Sequence, residues 1–302
     1  MSLASRVLSV AVVVAWSSSG IAADGDWQSG VAAALGKPGS DMPGGVYRVA
    51  LPRTDLKATL DGVSLQPGFA LGGWVAFERM GGAAMVMGDL VVTEGEANRV
   101  MAQLLAGGIE VTALHNHLLR NRPFTMYMHV LGHGDPTRLA ATLHRALAVS
   151  GTPLAPAAPG SSPATAPPPV QLDLDMSAIN AALGAKGANN SGVLQYSIPR
   201  ADAITDGAVT IPPAMGVANA INFQPTGGGK AAITGDFVLI AKEVNPVLKT
   251  MREHGIGVTA IHNHMLGERP RLFFVHFWAN DDAQKLARAL KAVLAEINIA
   301  KG

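Results

Sequence analysis

Val111-Thr112-Ala113-Leu114-His115-Asn116-His117-Leu118 recurs as Val258-Thr259-Ala260-Ile261-His262-Asn263-His264-Met265, displaced by 147 residues. The same offset holds without a gap from Gly81 and Gly228 to Leu147 and Leu294. Gly88-Asp89 returns as Gly235-Asp236, Glu96 as Glu243, Asn98 as Asn245, Arg122-Pro123 as Arg269-Pro270, and His129 as His276. Upstream the match thins. Leu51-Pro52-Arg53 still answers Ile198-Pro199-Arg200, and Ala34-Leu35-Gly36 answers Ala182-Leu183-Gly184 with one residue of slippage. One folding unit is therefore written twice, and each copy can bury a face against its sister.

Within each copy the apolar runs Ala83–Val92 and Ala231–Ile240 read as strands. Helices follow near Glu94–Leu105 and Glu243–Arg252, closed by Gly107-Gly108 and Gly255. Next come a strand carrying His-Asn-His, a turn holding Arg-Pro, and a β-rich run, Phe124–Leu131 or Leu272–Trp278. A last helix opens at Asp135-Pro136, an N-cap residue with proline at the first helical position, and at Asp281-Asp282 in the second copy. Leu139, Leu143 and Leu147 answer Leu286, Leu290 and Leu294 at helical spacing, as a core face would. The expected fold class is α+β: two tandem copies of a mixed β-rich unit with two helices each, packed as a pseudo-twofold pair.

On this reading the 302 residues divide into a signal peptide (1–23), a first unit (24–149), a Pro/Ala-rich linker (150–172) and a second unit (173–302). Arg6, the apolar run Val7–Trp16 and the small residues ending at Ala22-Ala23 carry the signal reading. An apolar core of about ten residues falls well short of the roughly 20 that a membrane span needs. The expectation is a periplasmic or secreted protein with no membrane anchor after cleavage. Seven prolines between Gly151 and Val170 make the linker extended. At about 3.1 Å per residue it reaches on the order of 60 Å, so it leaves the docking of the copies unrestricted.

Composition narrows the chemistry. Lys+Arg number 23 against 22 Asp+Glu, and 22 against 22 once Arg6 is removed, so no basic footprint for nucleic acid exists. Apolar residues make up 48% and charged ones 15%, which suits large buried cores. Cysteine is absent, which excludes disulfides, thiolate metal sites and a Cys nucleophile. Metal and acid–base chemistry then rests on nine histidines.

Six of these nine belong to the repeat. Residues i and i+2 of a strand share a face, so His115 and His117 project together, as do His262 and His264. The turn from Asn121 to Pro123 folds the next strand back, which sets His129 beside the first pair and His276 beside the second. Three imidazoles from two strands are a ligand set for a divalent transition metal, zinc or copper first, with one or two ions in the chain. Spacing leaves open whether each triad holds its own ion or both converge on one site. The contiguous His-Asn-His is not the arrangement of HNH nucleases, whose residues stand apart on a ββα unit, and the charge for phosphate binding is missing.

Other retained polar residues are candidates for the same site. Glu96 and Glu243 lie in the first turn of their helices, where the dipole favours a carboxylate. Thr93-x-x-Glu96 is a capping box, but Ile240 stands in the place of Thr93 in the second copy, so capping accounts for only one of the two. Both are candidate bases or metal-site residues. Arg122 and Arg269, in the turn between the ligand strands, are candidates to hold a small anionic ligand. Asn116 and Asn263 face away from the His pairs and pin the neighbouring loop. Met85, Met87, Met126 and Met128 have the counterparts Ala232, Thr234, Phe273 and Val275, so they read as core filling rather than copper thioethers. His133, His144 and His254 have no counterpart and take no role.

The Gly-Asp, Glu-x-Asn, Val-Thr-Ala-Leu/Ile-His-Asn-His, Arg-Pro and downstream His series, duplicated behind a signal sequence, resembles the LppY/LpqO family of exported bacterial proteins. The resemblance covers both halves of the mature chain. That family is a domain of unknown function, so the resemblance implies export and duplication and supplies no reaction. Some of its members look like lipoproteins. This chain has no Cys for the lipid and is expected to be soluble. Three functional readings follow. The first is an exported metal-binding protein, acting in metal handling or storage. The second is a metal-dependent hydrolase with Glu96 or Glu243 as base to a metal-bound water and Arg122 or Arg269 steadying an anionic substrate. The third is a structural envelope or interaction protein.

Overall fold

The computed structural model describes residues 27–154 and 170–301; the segment expected as a signal peptide and most of the expected linker lie outside the described residues. The first copy runs α1 (Trp27–Leu35), β1 (Ser40–Met42), β2 (Val46–Pro52), β3 (Thr59–Leu60), β4 (Val63–Ser64), α2 (Pro67–Ala70), β5 (Gly72–Met80), β6 (Ala83–Thr93), α3 (Glu94–Ala106), β7 (Glu110–His115), β8 (Thr125–Gly134) and α4 (Pro136–Leu147). The second runs α5 (Met176–Leu183), β9 (Ala188–Asn190), β10 (Val193–Pro199), β11 (Thr205–Asp206), β12 (Val209–Thr210), a 3₁₀ turn (Pro213–Met215), β13 (Ala218–Gly227), β14 (Lys230–Ile240), α6 (Ala241–Glu253), β15 (Gly257–His262), β16 (Glu268–Arg269), β17 (Leu272–Asp282) and α7 (Ala283–Leu294).

Each copy folds its longer strands into a six-stranded antiparallel sheet, ordered β1-β2-β5-β6-β8-β7 in the first and β9-β10-β13-β14-β17-β15 in the second. By place in the repeat the two orders are identical. The fold is α+β and duplicated, as the repeat requires.

The central strands are apolar on both faces because both are covered. Along β8, Met128 and Val130 join Leu139, Leu143 and Leu147 of α4 in a core beneath the helices. The alternate residues Tyr127 and Leu131 face the sister sheet, within two cores built from both copies. Phe277 of β17 and Leu286 and Leu290 of α7 repeat the helix-side core in the second copy. The layers therefore run helix, sheet, sheet, helix. Leu143 and Leu290 are fully buried, each worth about 1.5–3 kcal/mol relative to exposure.

Polar contacts rim the seam. Gln224 accepts from the Gln66 backbone N–H and donates to the Ser64 carbonyl, both at 2.8 Å. Arg48 donates to the Ala214 carbonyl at 2.9 Å while its guanidinium lies over the Trp74 ring.

Local signals hold where they are strong. Asp135 accepts from the Arg138 N–H at 2.8 Å and Asp282 from the Lys285 N–H at 2.7 Å, so both final helices open on the expected caps. Two helices per copy is too few: besides the two longer helices of each copy, the single-turn α2 occurs in the first, and α1 and α5 are additional. Both α1 and α5 are short and bury only two residues one turn apart, Val31 with Leu35 and Ile179 with Leu183, a stripe too thin to read as periodicity. The glycine of each Gly-Asp pair has a packing reason. A Cβ on Gly88 would meet the Trp74 carbonyl oxygen at 2.9 Å, and one on Gly235 would clash with that of Ala220.

Candidate metal centre

The ligand strands β7 and β15 occupy corresponding edges of the two sheets, and each carries a bulge, between Val111 and Ala113 and between Val258 and Ala260. The extra residue switches faces: Val111 packs toward the helices, whereas Ala113 and His115 oppose His129 and Tyr127 on the face between the sheets. Without the bulge His115 would fall on the other face. Strand alternation does not place His117. β7 ends at His115, and His117 lies in the bend that follows, with its ring 5.1 Å from that of His115. The same holds for His264 beyond β15, 4.8 Å from His262.

All six repeat histidines meet at the seam, and their closest pairs cross between copies. Ring centroids lie 3.5 Å apart for His115 and His262, 3.8 Å for His117 and His276, and 3.6 Å for His129 and His264. The triads thus converge on one cluster. Tyr127 backs His117 at 3.3 Å and its counterpart Phe274 backs His264 at 3.4 Å.

Two carboxylates complete the cluster. Asp89 pairs with His129 across β6 and β8, and Asp236 with His276 across β14 and β17. Asp89 lies 3.5 Å from His117 Nε2 and 3.8 Å from His129 Nε2. Asp236 lies 3.4 Å from His264 Nε2 and 3.9 Å from His276 Nδ1. Both Gly-Asp pairs are retained in the repeat, but spacing alone assigns the aspartates no role. The signal was an ionisable residue retained inside an apolar strand, where burial is expensive without a partner.

Electrostatics favour neutral ligands. Burial pushes the His115 imidazole down to about 4 and that of His276 to about 3. Burial and the surrounding imidazoles also lower His117, His129, His262 and His264. The six rings are therefore uncharged at neutral pH, the form that binds a cation. Burial raises the Asp89 carboxyl to about 7 against the pull of Arg48, and burial together with the neighbouring Asp89 raises Asp236 well above the ordinary carboxylate range. Tautomers are partly set from outside. His276 Nδ1 donates to the Gly235 carbonyl at 2.8 Å and His115 Nδ1 to the Asn116 carbonyl at 3.1 Å, which leaves Nε2 of each for the cluster. Residues whose donor atoms lie close enough to hold one ion fall into four groups: His115, His129, His262 and His264; His115, His117 and His276; Asp89, His117 and His129; Asp236, His264 and His276.

The other candidates are elsewhere. Glu96 takes Arg53 Nη1 at 2.8 Å and Nη2 at 3.0 Å, the Thr93 N–H at 2.8 Å and the Gly151 N–H at 2.7 Å. Glu243 takes Arg200 at 2.6 and 3.1 Å, the Ile240 N–H at 2.9 Å and the Asn298 N–H at 3.1 Å. Both carboxylates are anchors for a buried arginine, which is why Glu243 persists although Ile240 offers no capping oxygen.

Arg122 and Arg269 are exposed, and among the described residues each guanidinium donates only to the preceding residue's carbonyl, at 3.0 and 3.3 Å. It is their backbone that matters: Arg122 bridges Thr59, and Arg269 pairs with Thr205. Asn116 and Asn263 do pin loops, but differently. Asn116 reaches the Thr259 carbonyl of the other copy at 3.1 Å, while Asn263 donates to Leu272 in its own. Met85 and Met87 fill the core between the sheets, and Met128 fills the core beneath the helices.

A sequence profile described as Domain of Unknown Function (DUF1259) matches residues 29–149 and 177–296. The chain belongs to the DUF1259 family. No curated protein matches it significantly. Among solved structures this DUF1259 chain is similar to the trimeric bacterial microcompartment shell protein PduB, with 11% identity over 84% of this chain and 88% of that one and a TM-score of 0.21. It is also similar to the double-ringed trimeric shell protein MSM0271 from the RMM microcompartment, with 13% identity, 72% and 84% coverage and a TM-score of 0.18. EtuB from Clostridium kluyveri gives 10% identity, 85% and 90% coverage and a TM-score of 0.19. At these scores the likenesses say nothing about what the DUF1259 chain does.

Proposed function

We propose that this DUF1259 protein is exported and binds a divalent transition metal, zinc or copper, at the histidine cluster, in metal handling or storage outside the cytoplasm. One observation carries the reading. His115 Nε2, His117 Nε2, His129 Nε2, His262 Nδ1, His276 Nε2, Asp89 Oδ1 and Asp236 Oδ1 are buried without a hydrogen-bond partner among the described residues. Each such atom costs about 1–3 kcal/mol. Together they rival the 5–15 kcal/mol of net stability typical of a folded protein. Coordination supplies lone-pair atoms with the partner they lack. The signal segment and the resemblance to exported LppY/LpqO proteins support the location.

Hydrolysis with Glu96 or Glu243 as base and Arg122 or Arg269 as anion clamp does not fit, because the Glu pair hold Arg53 and Arg200 and the Arg pair lie in exposed turns outside the cluster. The void beside His129 and His264, lined also by Met87 and Met265, measures about 10 Å³, room for no more than one water.

Protein purified from the periplasm without added metal is expected to carry zinc or copper, measured by elemental analysis. A His117→Ala/His264→Ala variant should lose it while keeping its circular dichroism spectrum. Metal-free native protein whose melting is unmoved by Zn²⁺ or Cu²⁺ would overturn the proposal in favour of a purely structural role.

A further inference from the structure

Metal binding at the cluster, on which this inference rests, leaves the number of ions unassigned. We infer that the centre is dinuclear, with one ion held by Asp89, His117 and His129 and the other by Asp236, His264 and His276, and with His115 and His262 standing between them.

Three observations lead there. The two sets share no residue, so both can be filled at once, whereas the two all-histidine groups both require His115. Each member of one set is also the repeat counterpart of a member of the other, 147 residues away, so both copies supply the same ligand types, although His129 faces its carboxylate through Nε2 and His276 through Nδ1. And each set brings its own carboxylate. A divalent ion among neutral imidazoles alone would bury two uncompensated charges, a far costlier arrangement than one in which the ion displaces a carboxyl proton and is met by the resulting anion.

Burial and unmet valence agree with this division. Asp89, His129, His264 and His276 are 7%, 5%, 7% and 2% exposed. Asp89 Oδ1, His117 Nε2 and His129 Nε2 lack partners in the first set, as do Asp236 Oδ1 and His276 Nε2 in the second. One carboxylate oxygen and two imidazole nitrogens form a donor set that first-row divalent ions accept with further positions free.

His115 and His262 are placed to share in both. The His115 ring lies 5.1 and 5.0 Å from His117 and His129, and 5.7 and 5.4 Å from His264 and His276. Both residues are half-buried at the ends of the edge strands β7 and β15, as are His117 and Asp236, whereas Asp89 and the strand histidines His129 and His276 are buried. They therefore stand on the side from which an ion reaches the two sets.

The test uses the full chain, stripped with a chelator, reloaded with Zn²⁺ or Cu²⁺ and desalted, with metal per folded protein as the readout. Wild type should hold two equivalents, Asp89→Asn one, and Asp89→Asn/Asp236→Asn none. His115→Ala/His262→Ala should still hold two, at least tenfold more weakly. Copper-loaded wild type should give a half-field electron paramagnetic resonance line, a signature of two neighbouring ions that needs no variant and no refolding.

One equivalent in wild type, or complete loss in His115→Ala/His262→Ala with Asp89→Asn fully loaded, would replace this arrangement with a single all-histidine site. A copper spectrum of isolated ions alone would overturn it as well. No metal in wild type would instead remove the metal reading on which the inference stands.

Discussion

Arg53 and its copy Arg200 are 1% and 6% exposed, about as buried as the strand histidines His129 and His276 at 5% and 2%. The surroundings differ. Arg53 donates from Nε and Nη2 to Asp55 at 2.9 Å, from Nη1 to the Val91 carbonyl at 2.9 Å, and from both terminal nitrogens to Glu96. Arg200 repeats this with Asp202, Val238 and Glu243, leaving only Nε over. Among the described residues the histidine cluster leaves seven buried atoms unpartnered, in a chain that places them with equal care. Retention in both copies therefore does not separate scaffold from site. Completeness does: an arginine matched by carboxylates finishes a fold, and imidazoles without partners await something else.

The largest effect expected on this contrast comes from opening the complete cluster. Arg53→Met leaves the Glu96 carboxylate buried and unpaired, and should cost about 3–5 kcal/mol in urea unfolding. Metal per folded molecule should not change; a parallel loss of metal would show that the two clusters are one unit.

Next in size is the effect of leaving the other cluster unfilled. Metal at a hundredfold its dissociation constant adds about 2.7 kcal/mol for one site, and a chelator should remove that increment from wild type. His117→Ala/His264→Ala should show no increment to remove. Equal chelator effects on both proteins would place the ion elsewhere.

A smaller effect is graded with pH. Burial would raise the Glu96 carboxyl, but Arg53 and the Thr93 and Gly151 N–H groups outweigh it and hold it down to about 2, from an ordinary 4.5. Glu243 is lowered by the same arrangement around Arg200. A depressed carboxylate contributes its stability in full above the ordinary value and loses it as pH falls toward the native one. Stability should therefore drop between pH 4.5 and about 2, and Glu96→Gln should flatten that slope. An unchanged slope would mean that other carboxylates govern acid unfolding.

The smallest effect belongs to the exposed turn. Arg122→Ala/Arg269→Ala should alter stability by no more than about 0.5 kcal/mol and leave metal content intact. A loss of metal would return these side chains to the site.

Much of this was readable in one dimension. The 147-residue offset, the Asp-capped final helices and their leucine faces are local patterns, and the six imidazoles of the centre were all named from them. Asp89 and Asp236 were visible but unassigned, because a carboxylate in an apolar strand declares its partner only through the strand beside it. Glu96 and Glu243 look like site residues in one dimension for a related reason. Arg53 and Arg200 lie 43 residues upstream of them in each copy, and no periodicity connects the two positions.

By itself, the sequence determined the duplication, the α+β alternation and the supply of neutral nitrogen ligands in a chain without cysteine, since each is a matter of spacing or composition. Only the tertiary structure decided that the triads meet. The bulges in β7 and β15 turn His115 and His262 to the inner face, and the packing of sheet on sheet sets His117 against His276 and His129 against His264. Which atoms then remain without a partner depends on every neighbour in three dimensions, and that deficit distinguishes the candidate site from the scaffold.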